Sequence, residues 1–454
     1  MTIPTSSSTM MLFLLLLGMA LVHIEGALPV GTYSFERDGK NSVSFGGQTT
    51  RLNMADELYD GMNSNESSTD MLMQQFKEGT GFSDPSILEG YGNAAGGYGP
   101  NLIGKVASGC LNEKNEESVA ALTAMIEDFG ENVIPAWNTP AADGSPGYLS
   151  DDIRTIQVNS KGWELDQTFQ KGLIGAFSLD QIVNNYLQPC KLDADGKREA
   201  NTNGVVAEDK PFTMMEHAWD EAFGYVYGQE PDPTADLIVP GGDGTLLNKY
   251  LKKASTGPLV PGIARAIFGA FIKGRQAIVD GDYEARDEQA KIIQMDLSRV
   301  IGALVDTYLN AYLDAKKAGN PADAIHALSE AYGFIFSLAF TNNGDGEPYF
   351  TQEEVGSILQ SMDNFWQIKD EDVQAIINEV DERFGFKKNE ELRVESGAGD
   401  DAGEGDDAGD PEVSREDALL DTLRSSDDEA AGDDGDGGAG DDGDGGAGDD
   451  LPDN

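Results

Sequence analysis

The sequence is poor in cysteine, histidine and basic side chains, and each shortage argues against a class of site. Only 2 of its 454 residues are cysteine, Cys110 and Cys190, and only 3 are histidine. No CxxC pair or Cys-His cluster is present, which argues against a metal centre built from cysteine. Lysine and arginine number 31 against 81 aspartate and glutamate, a formal net charge of −50. We therefore expect no nucleic-acid partner, because the phosphate backbone would be repelled.

Long apolar runs are also scarce, and the one that stands out lies at residues 10–22 (MMLFLLLLGMALV). Its length is typical of a signal-peptide core and is short for a membrane-spanning helix. Gly26 and Ala27 provide small residues for a cleavage site. Residues 1–26 are therefore predicted to be a signal peptide, with an uncleaved anchor as the alternative. We expect an exported protein, extracellular, at the cell surface or in another secretory compartment, without a transmembrane helix in the mature chain.

Export would place Cys110 and Cys190 in an oxidising compartment, where they are candidates for one disulfide. The bond would close a loop of 79 intervening residues and stabilise the fold by roughly 4 kcal/mol on the chain-entropy account. Two buried thiols are the alternative. Asn65, in the sequon Asn65-Glu66-Ser67, is a candidate glycosylation site if the secretory pathway of the host modifies it.

The C-terminal end combines few apolar side chains with a high negative charge. Residues 397–454 contain 22 acidic and 2 basic residues, which contribute −20 to the formal net charge. Such a segment cannot bury enough apolar surface to offset the entropy of ordering, so residues 391–454 are predicted to be a disordered acidic tail rich in Gly and Asp. Its carboxylates would bind Ca²⁺ weakly at many sites, or adhere to cationic and mineral surfaces. The alternative is that they only keep the protein soluble.

Between these ends the sequence favours an all-α fold of antiparallel helical bundles. Turn-prone residues 38–41 lie between two short apolar stretches and predict a β-hairpin in a leader of residues 27–48. Residues 49–390 are predicted to form the helical domain. Apolar residues recur at spacings of three and four in stretches that predict long helices, and these stretches run from about 163 to 187, 262 to 279 and 283 to 318. Gly319, Asn320 and Pro321 carry the signals that end one helix and begin the next.

A nine-residue pattern, His-Ala-x-x-Glu-Ala-aromatic-Gly-aromatic, occurs twice, at residues 217–225 and 326–334. Positions i, i+4 and i+7 of a helix share a face, so each copy aligns a histidine, a glutamate and a glycine. The repetition predicts two motif helices related by internal pseudo-symmetry. Glycine inside a helix is less favourable than alanine by about 1 kcal/mol, so the glycines predict a tight seam where three helices converge. These glycines are Gly172, Gly175, Gly224 and Gly333.

The histidines and glutamates of the two motifs are the candidate site. Imidazole and carboxylate groups from two facing helices suit a divalent metal ion such as zinc or iron. The candidate ligands are His217, Glu221, His326 and Glu330. The alternative is a buried polar network in which each glutamate accepts a hydrogen bond from a histidine and the helix register is thereby defined. The spacing differs from the HExxH of zinc peptidases, which argues against hydrolysis.

Several segments resemble an uncharacterised family of bacterial surface and secreted proteins that is known as a domain of unknown function. They are GLIGA (172–176), HAWDEAFGY (217–225), AFIKGR (270–275), ARDEQ (285–289), LSEAYGFIFSL (328–338) and PYFTQEEV (348–355). The resemblance covers roughly residues 33–368. The family is similar in helical build to imelysin-like proteins, a resemblance that implies iron handling through a His-x-x-Glu pair. In this chain the glutamates lie at i+4, and Asp220 and Ser329 occupy i+3.

These observations predict a secreted or surface-associated helical binding protein without catalytic activity, whose extracellular ligand the sequence does not identify. The alternative is an imelysin-like protein that binds a divalent transition metal through the two motif helices. A hydrolase is a distant third interpretation, because only the weak imelysin resemblance favours it.

Overall fold

The structure is a computed structural model that describes residues 31–83, 87–88, 100–111, 115–230, 232 and 244–386. The predicted signal peptide and the predicted acidic tail lie outside these residues. The prediction of an all-α fold is confirmed, since the described residues form thirteen α-helices and two small antiparallel hairpins. None of the helices in the described part of the chain has the length and apolar character needed to cross a membrane.

The thirteen α-helices of the described residues are named here in chain order. They are α1 Gly46–Met62, α2 Thr69–Met73, α3 Glu116–Asp128, α4 Leu165–Leu173, α5 Pro189–Leu192, α6 Lys197–Thr202, α7 Met214–Tyr227, α8 Leu247–Thr256, α9 Ile263–Asp280, α10 Tyr283–Ala318, α11 Pro321–Ser337, α12 Gln352–Ser361 and α13 Asp370–Phe384. Wider π-helical turns continue three of them: Gln74–Glu78 after α2, Phe129–Val133 after α3, and Ile174–Leu179 with Ile182–Tyr186 after α4. Short 3₁₀ turns occur at Ile103–Lys105, Ile134–Ala136, Ala194–Gly196, Leu338–Phe340 and Phe365–Gln367.

Each hairpin precedes a helix. In the first, β1 (Glu36–Arg37) pairs with β2 (Lys40–Asn41), and the turn between them has positive φ at Asp38 and Gly39, as tight hairpins require. The predicted hairpin therefore exists, although its strands lie closer to the turn than the apolar stretches suggested. A second hairpin, β3 (Gly147–Ser150) with β4 (Thr155–Val158), was not predicted from the sequence.

The long helices begin and end where the sequence predicts. The Asp282 side chain accepts a hydrogen bond from the Ala285 N–H and caps α10. Gly319, with φ of 84°, ends the helix in the left-handed conformation that favours glycine. Pro321 is then the first residue of α11, where its missing N–H leaves no hydrogen bond unmade.

Two helices lie at the centre of the molecule and are buried on every side. Residues 164–188, which contain α4 and its π-helical continuation, are all buried, and so are residues 324–338 of α11 and the turn after it. Helix α11 packs against both α4 and α10. A helix buried all round must pair every polar side chain inside the protein, because water does not reach it. The polar side chains of α4 and α11 must therefore find their partners within the core.

The small-residue seam joins α4 to α11, and its third predicted member is absent from it. A Cβ added to Gly333 would lie 2.5 Å from the Lys171 Cβ, and one on Gly175 would lie 2.4 Å from the Ser337 Cα. A Cβ added to Gly224 of α7 would instead lie 2.5 Å from the Cβ of Phe45, the residue just before α1. The prediction that all four glycines line one seam of three helices is therefore wrong, because Gly224 lies outside it. Each motif glycine allows close approach to a different helix.

Candidate functional site

The first motif lies on α7, which begins with a complete capping box. The Thr213 hydroxyl accepts from the Glu216 N–H, and the Glu216 carboxylate accepts from the Thr213 N–H at 2.7 Å. Glu216 is fully buried, and its other carboxylate oxygen accepts from Arg37 at 2.9 Å and from Arg275 at 3.0 Å. The same carboxylate thus caps α7 and joins it to the first hairpin and to α9.

Asp220, one turn along α7, is the second buried acid beside Arg275. Its Oδ1 accepts from the Arg275 Nε at 2.9 Å and from the Tyr33 hydroxyl at 2.6 Å. Its Oδ2 accepts from the Ser44 backbone N–H at 3.2 Å. Burial raises the pKa of Asp220, although the adjacent guanidinium and these hydrogen bonds oppose the shift. A buried charge of this kind is tolerated because it is both paired and hydrogen-bonded.

His217 and Glu221 of the first motif are only half-buried and contact the chain segment around the start of α1. The His217 Nδ1 lies 3.1 Å from the Ser44 carbonyl oxygen, so Nδ1 is the protonated nitrogen. The imidazole stacks on Phe212 with ring centres 4.8 Å apart. Glu221 accepts a hydrogen bond from the Gln48 side-chain amide at 3.0 Å.

The second motif lies on α11, and its histidine and glutamate are buried. The His326 Nδ1 bonds the Glu164 carboxylate at 2.7 Å, and its Nε2 lies 3.5 Å from Glu330. The other oxygen of Glu330 lies 3.1 Å from the Lys171 ammonium and accepts from the Tyr250 hydroxyl at 3.3 Å. Lys171 therefore supplies a buried positive charge next to the motif carboxylate.

The Lys171 ammonium is enclosed by further polar groups of α4. It donates to the side-chain oxygens of Gln167 and Gln170. The amide of Gln167 in turn donates to Tyr59 and to Asp166, each at 2.9 Å. Burial, and next the nearby charge of Glu164, raise the pKa of Asp166 to about 7. The cluster thus contains three carboxylates against one ammonium and one imidazole.

The two motifs make corresponding contacts, which is how the predicted pseudo-symmetry appears in the fold. The backbone N–H of Ser44, just before α1, donates to Asp220, the fourth motif residue. The backbone N–H of Glu164, just before α4, donates at 3.0 Å to Ser329, the fourth residue of the second motif. The motif histidines repeat this pairing, since His217 bonds Ser44 and His326 bonds Glu164. A β-hairpin precedes each of these two pre-helix residues in the chain. The repeated unit is a hairpin with its helix, packed on a motif helix.

The structure does not bring the four candidate metal ligands together. His326 and Glu330 lie side by side, while His217 and Glu221 contact Ser44 and Gln48 on another part of the bundle. Within the described ranges, no group of three or more His, Cys, Asp or Glu side chains is arranged to hold a metal ion.

The other candidate residues lie elsewhere. Cys110 and Cys190 are joined by a disulfide, with their Cα atoms 6.2 Å apart, and both are exposed. Asn65 is also exposed, in the turn between α1 and α2.

The sequence analysis did not predict that two basic side chains, Arg275 and Lys171, are buried. The sequence around each of them nevertheless indicates it. Arg275 falls at a helical spacing with Phe271 and Ile278, on the apolar stripe of α9. Lys171 adjoins Gly172, one of the glycines that predict a tight and therefore buried helix seam. A basic residue on an apolar face requires an acidic partner, and this rule could have linked each cation to a motif carboxylate.

Comparison with known proteins identifies one family. A family model described as a domain of unknown function (DUF4856) matches residues 30–387. No curated protein and no solved structure matches the chain.

Proposed function

Because the chain belongs to the DUF4856 family over most of its length, and that description names no activity, we propose a function from the chain's own contacts. The protein is an exported, non-catalytic helical binding protein. Its helical domain is a rigid scaffold, and its ligand contacts the outer surface.

One observation carries this proposal: the motif side chains are used to hold helices together. Asp220 binds Arg275, and Glu330 binds Lys171, in pairs whose side chains are at most 2% exposed. A catalytic acid, base or nucleophile has to reach its substrate within hydrogen-bond distance. Fully buried charged pairs of this kind are poorly placed for that role. The arrangement therefore favours a structural role for both motifs and leaves the surface for binding.

A second candidate function, divalent metal binding of the imelysin type, is favoured by the first motif alone. His217 and Glu221 lie one helical turn apart and are half-buried. The His217 Nδ1 donates to Ser44, so in the neutral imidazole the lone pair is on Nε2, and this is the form that binds metal ions. The second motif does not favour metal binding in the same way, because the Lys171 ammonium already supplies the positive charge beside Glu330.

Elemental analysis of the full mature chain, after equilibration with Zn²⁺ or Fe²⁺ and desalting, distinguishes these functions. We expect well under one retained ion per chain, with no change in His217→Ala or His326→Ala. One retained ion per chain that is lost in His217→Ala would contradict our proposal and favour the metal-binding function.

The acidic tail is the second part of the proposal, as a weak binder of Ca²⁺ and of cationic or mineral surfaces. We expect the full chain to adsorb to amine-coated beads and calcium phosphate more strongly than a form ending at residue 390. Retention should fall as salt is added, because screening shortens the range of attraction between exposed charges. Equal retention of both forms would refute this role of the tail.

A further inference from the structure

Three of the four tryptophans, Trp137, Trp163 and Trp366, are only half-buried, whereas Trp219 is fully buried. Trp163 follows the β3–β4 hairpin along the chain, and Trp366 packs against Gly162, the residue before Trp163. Half-exposed indole rings are characteristic of contact surfaces, because they present a large rigid apolar face beside a polar edge. This end of the molecule is therefore a candidate binding surface.

Two of these indoles are held in fixed positions. The Trp366 indole N–H donates to the Ser160 carbonyl oxygen at 3.3 Å. Its ring lies against Gly162, where an added Cβ would be 3.1 Å from the indole Cε2. The Lys161 ammonium lies 5.0 Å from the centre of the Trp163 ring, close enough for a cation–π contact. A ligand would meet rings that need little rearrangement, which limits the entropy lost on binding.

Planar polar side chains border Trp366. Asp143 accepts from the Asn364 amide at 3.1 Å and from the Gln367 amide at 3.0 Å, one bond to each carboxylate oxygen. The hydrogen bond from Gln367, and next the one from Asn364, hold the pKa of Asp143 below its usual value. Asp143 therefore remains an ionised acceptor at neutral pH. Nearby, the Lys161 ammonium binds Asp363 at 2.6 Å.

These groups keep hydrogen-bonding capacity that their mutual contacts do not use. A carboxylate accepts at about four positions, an amide nitrogen carries two N–H donors, and an ammonium carries three. Donors and acceptors therefore lie side by side next to an indole ring. A sugar hydroxyl both donates and accepts, and a pyranose ring presents a C–H face that packs on an aromatic ring. Lys161 offsets one of the two acidic charges, so the surface does not require a cationic ligand.

We propose that this surface binds a neutral sugar ring of an extracellular glycan. It is formed by Trp163, Trp366, Lys161, Asp143, Asn364 and Gln367, and we term it the hairpin-end platform. The inference rests on the proposed function, because it names the ligand class of an exported binding protein. It is independent of the acidic tail and of both His-Glu motifs.

Affinity electrophoresis of the full mature chain tests the proposal, in gels that contain laminarin, xylan, mannan or glycol chitin. We expect at least one of these polysaccharides to retard the protein. Trp366→Ala should then weaken binding about tenfold or more, since loss of a stacked aromatic ring is worth that much at other contact surfaces. Gln367→Ala should weaken binding by a smaller factor and leave the melting temperature unchanged, because its side chain is exposed. Trp366→Phe should restore part of the affinity.

Trp137→Ala is the matched control, since this half-buried indole packs edge-on against Phe129 and takes no part in the hairpin-end platform. We expect its affinity to equal that of the unmodified protein. Failure of all four polysaccharides to retard the protein would overturn the proposal, as would wild-type binding by both Trp366→Ala and Gln367→Ala. If adsorption to cationic beads persisted in that case, only the glycan inference would fail and the proposed function would stand.

Discussion

Asp166 is a fully buried carboxyl beside Glu164, and these surroundings raise its pKa to about 7 from 3.8. Between these two pH values the folded protein keeps a proton that the unfolded chain releases. The contribution of Asp166 to stability therefore declines as pH rises from about 4 to 7, and the full penalty is present above pH 7.

We predict that Asp166→Asn stabilises the protein at pH 8, by at most about 4 kcal/mol. The amide resembles the protonated acid and keeps an oxygen that accepts from Gln167. The gain should vanish near pH 4, which denaturant unfolding across this range would measure. Asp345→Asn is the control, because the Asp345 side chain is 75% exposed, and its effect should be small at every pH. If Asp166→Asn raised the free energy of unfolding equally at every pH, the raised pKa of Asp166 would not be the cause of the gain.

Alanine substitutions at Gly333 and Gly356 distinguish the effect of close helix packing on stability from the effect of helix propensity. A Cβ at Gly333 would lie 2.8 Å from the Thr168 carbonyl oxygen, whereas one at Gly356 of α12 would have no atom within 4 Å. We predict that Gly333→Ala destabilises the fold by about 1–3 kcal/mol, because the α4 backbone must move. Gly356→Ala should stabilise it by up to about 1 kcal/mol. Equal effects in denaturant unfolding would show that α4 and α11 are not closely packed.

At the scale of elements, Arg275 joins the first hairpin to α7 and α9. Its guanidinium bonds Asp220 and Glu216 and donates to the Ser42 carbonyl oxygen at 3.3 Å. Tyr33 of the same segment stacks on Phe223 with ring centres 3.7 Å apart. The hairpin is thus attached through buried charge as well as apolar packing.

We predict that Arg275→Met destabilises the fold by about 3–5 kcal/mol, because two buried carboxylates lose a charged partner. Faster hydrogen exchange in residues 33–45 should accompany this loss. Lys291→Met is the matched control: its ion pair with Asp345 is exposed, so the change should stay below about 1 kcal/mol. If both variants unfolded at the same denaturant concentration, the ion pairs of Arg275 would not be what attaches the hairpin.

At the scale of the whole molecule, the Cys110–Cys190 disulfide joins residues 100–111 to α5. Backbone bonds also hold this segment, including Ala107 N–H to the Ala176 carbonyl oxygen at 2.6 Å. We therefore predict that replacing both cysteines with serine preserves the fold and lowers the free energy of unfolding by about 4 kcal/mol on the chain-entropy account. A reducing agent should cause the same loss in the unmodified protein and none in the double variant. If a reducing agent left the melting temperature of the unmodified protein unchanged, the disulfide would not be stabilising the fold.

Part of the candidate site was predictable from short spacings alone. His326 and Glu330 are four residues apart, so helical geometry places them together. Their partners were not predictable in this way: Glu164 lies 162 residues from His326, and no local pattern encodes such a contact. The β3–β4 hairpin was missed because each strand has only four residues. β4 alternates polar and apolar residues, but β3 does not, so the two strands do not form a recognisable pair in the sequence.

The sequence by itself determined where the long helices lie and that a motif helix occurs twice, because periodicity, capping and turn chemistry act over a few residues. Asp282, Gly319 and Pro321 set their boundaries through neighbouring backbone groups alone. Only the tertiary structure decided that the two motif helices pack on different partners, and that Arg275 and Lys171 neutralise their carboxylates. A buried charge takes its partner from whichever helix the packing brings near, and that choice depends on the shape of the whole core.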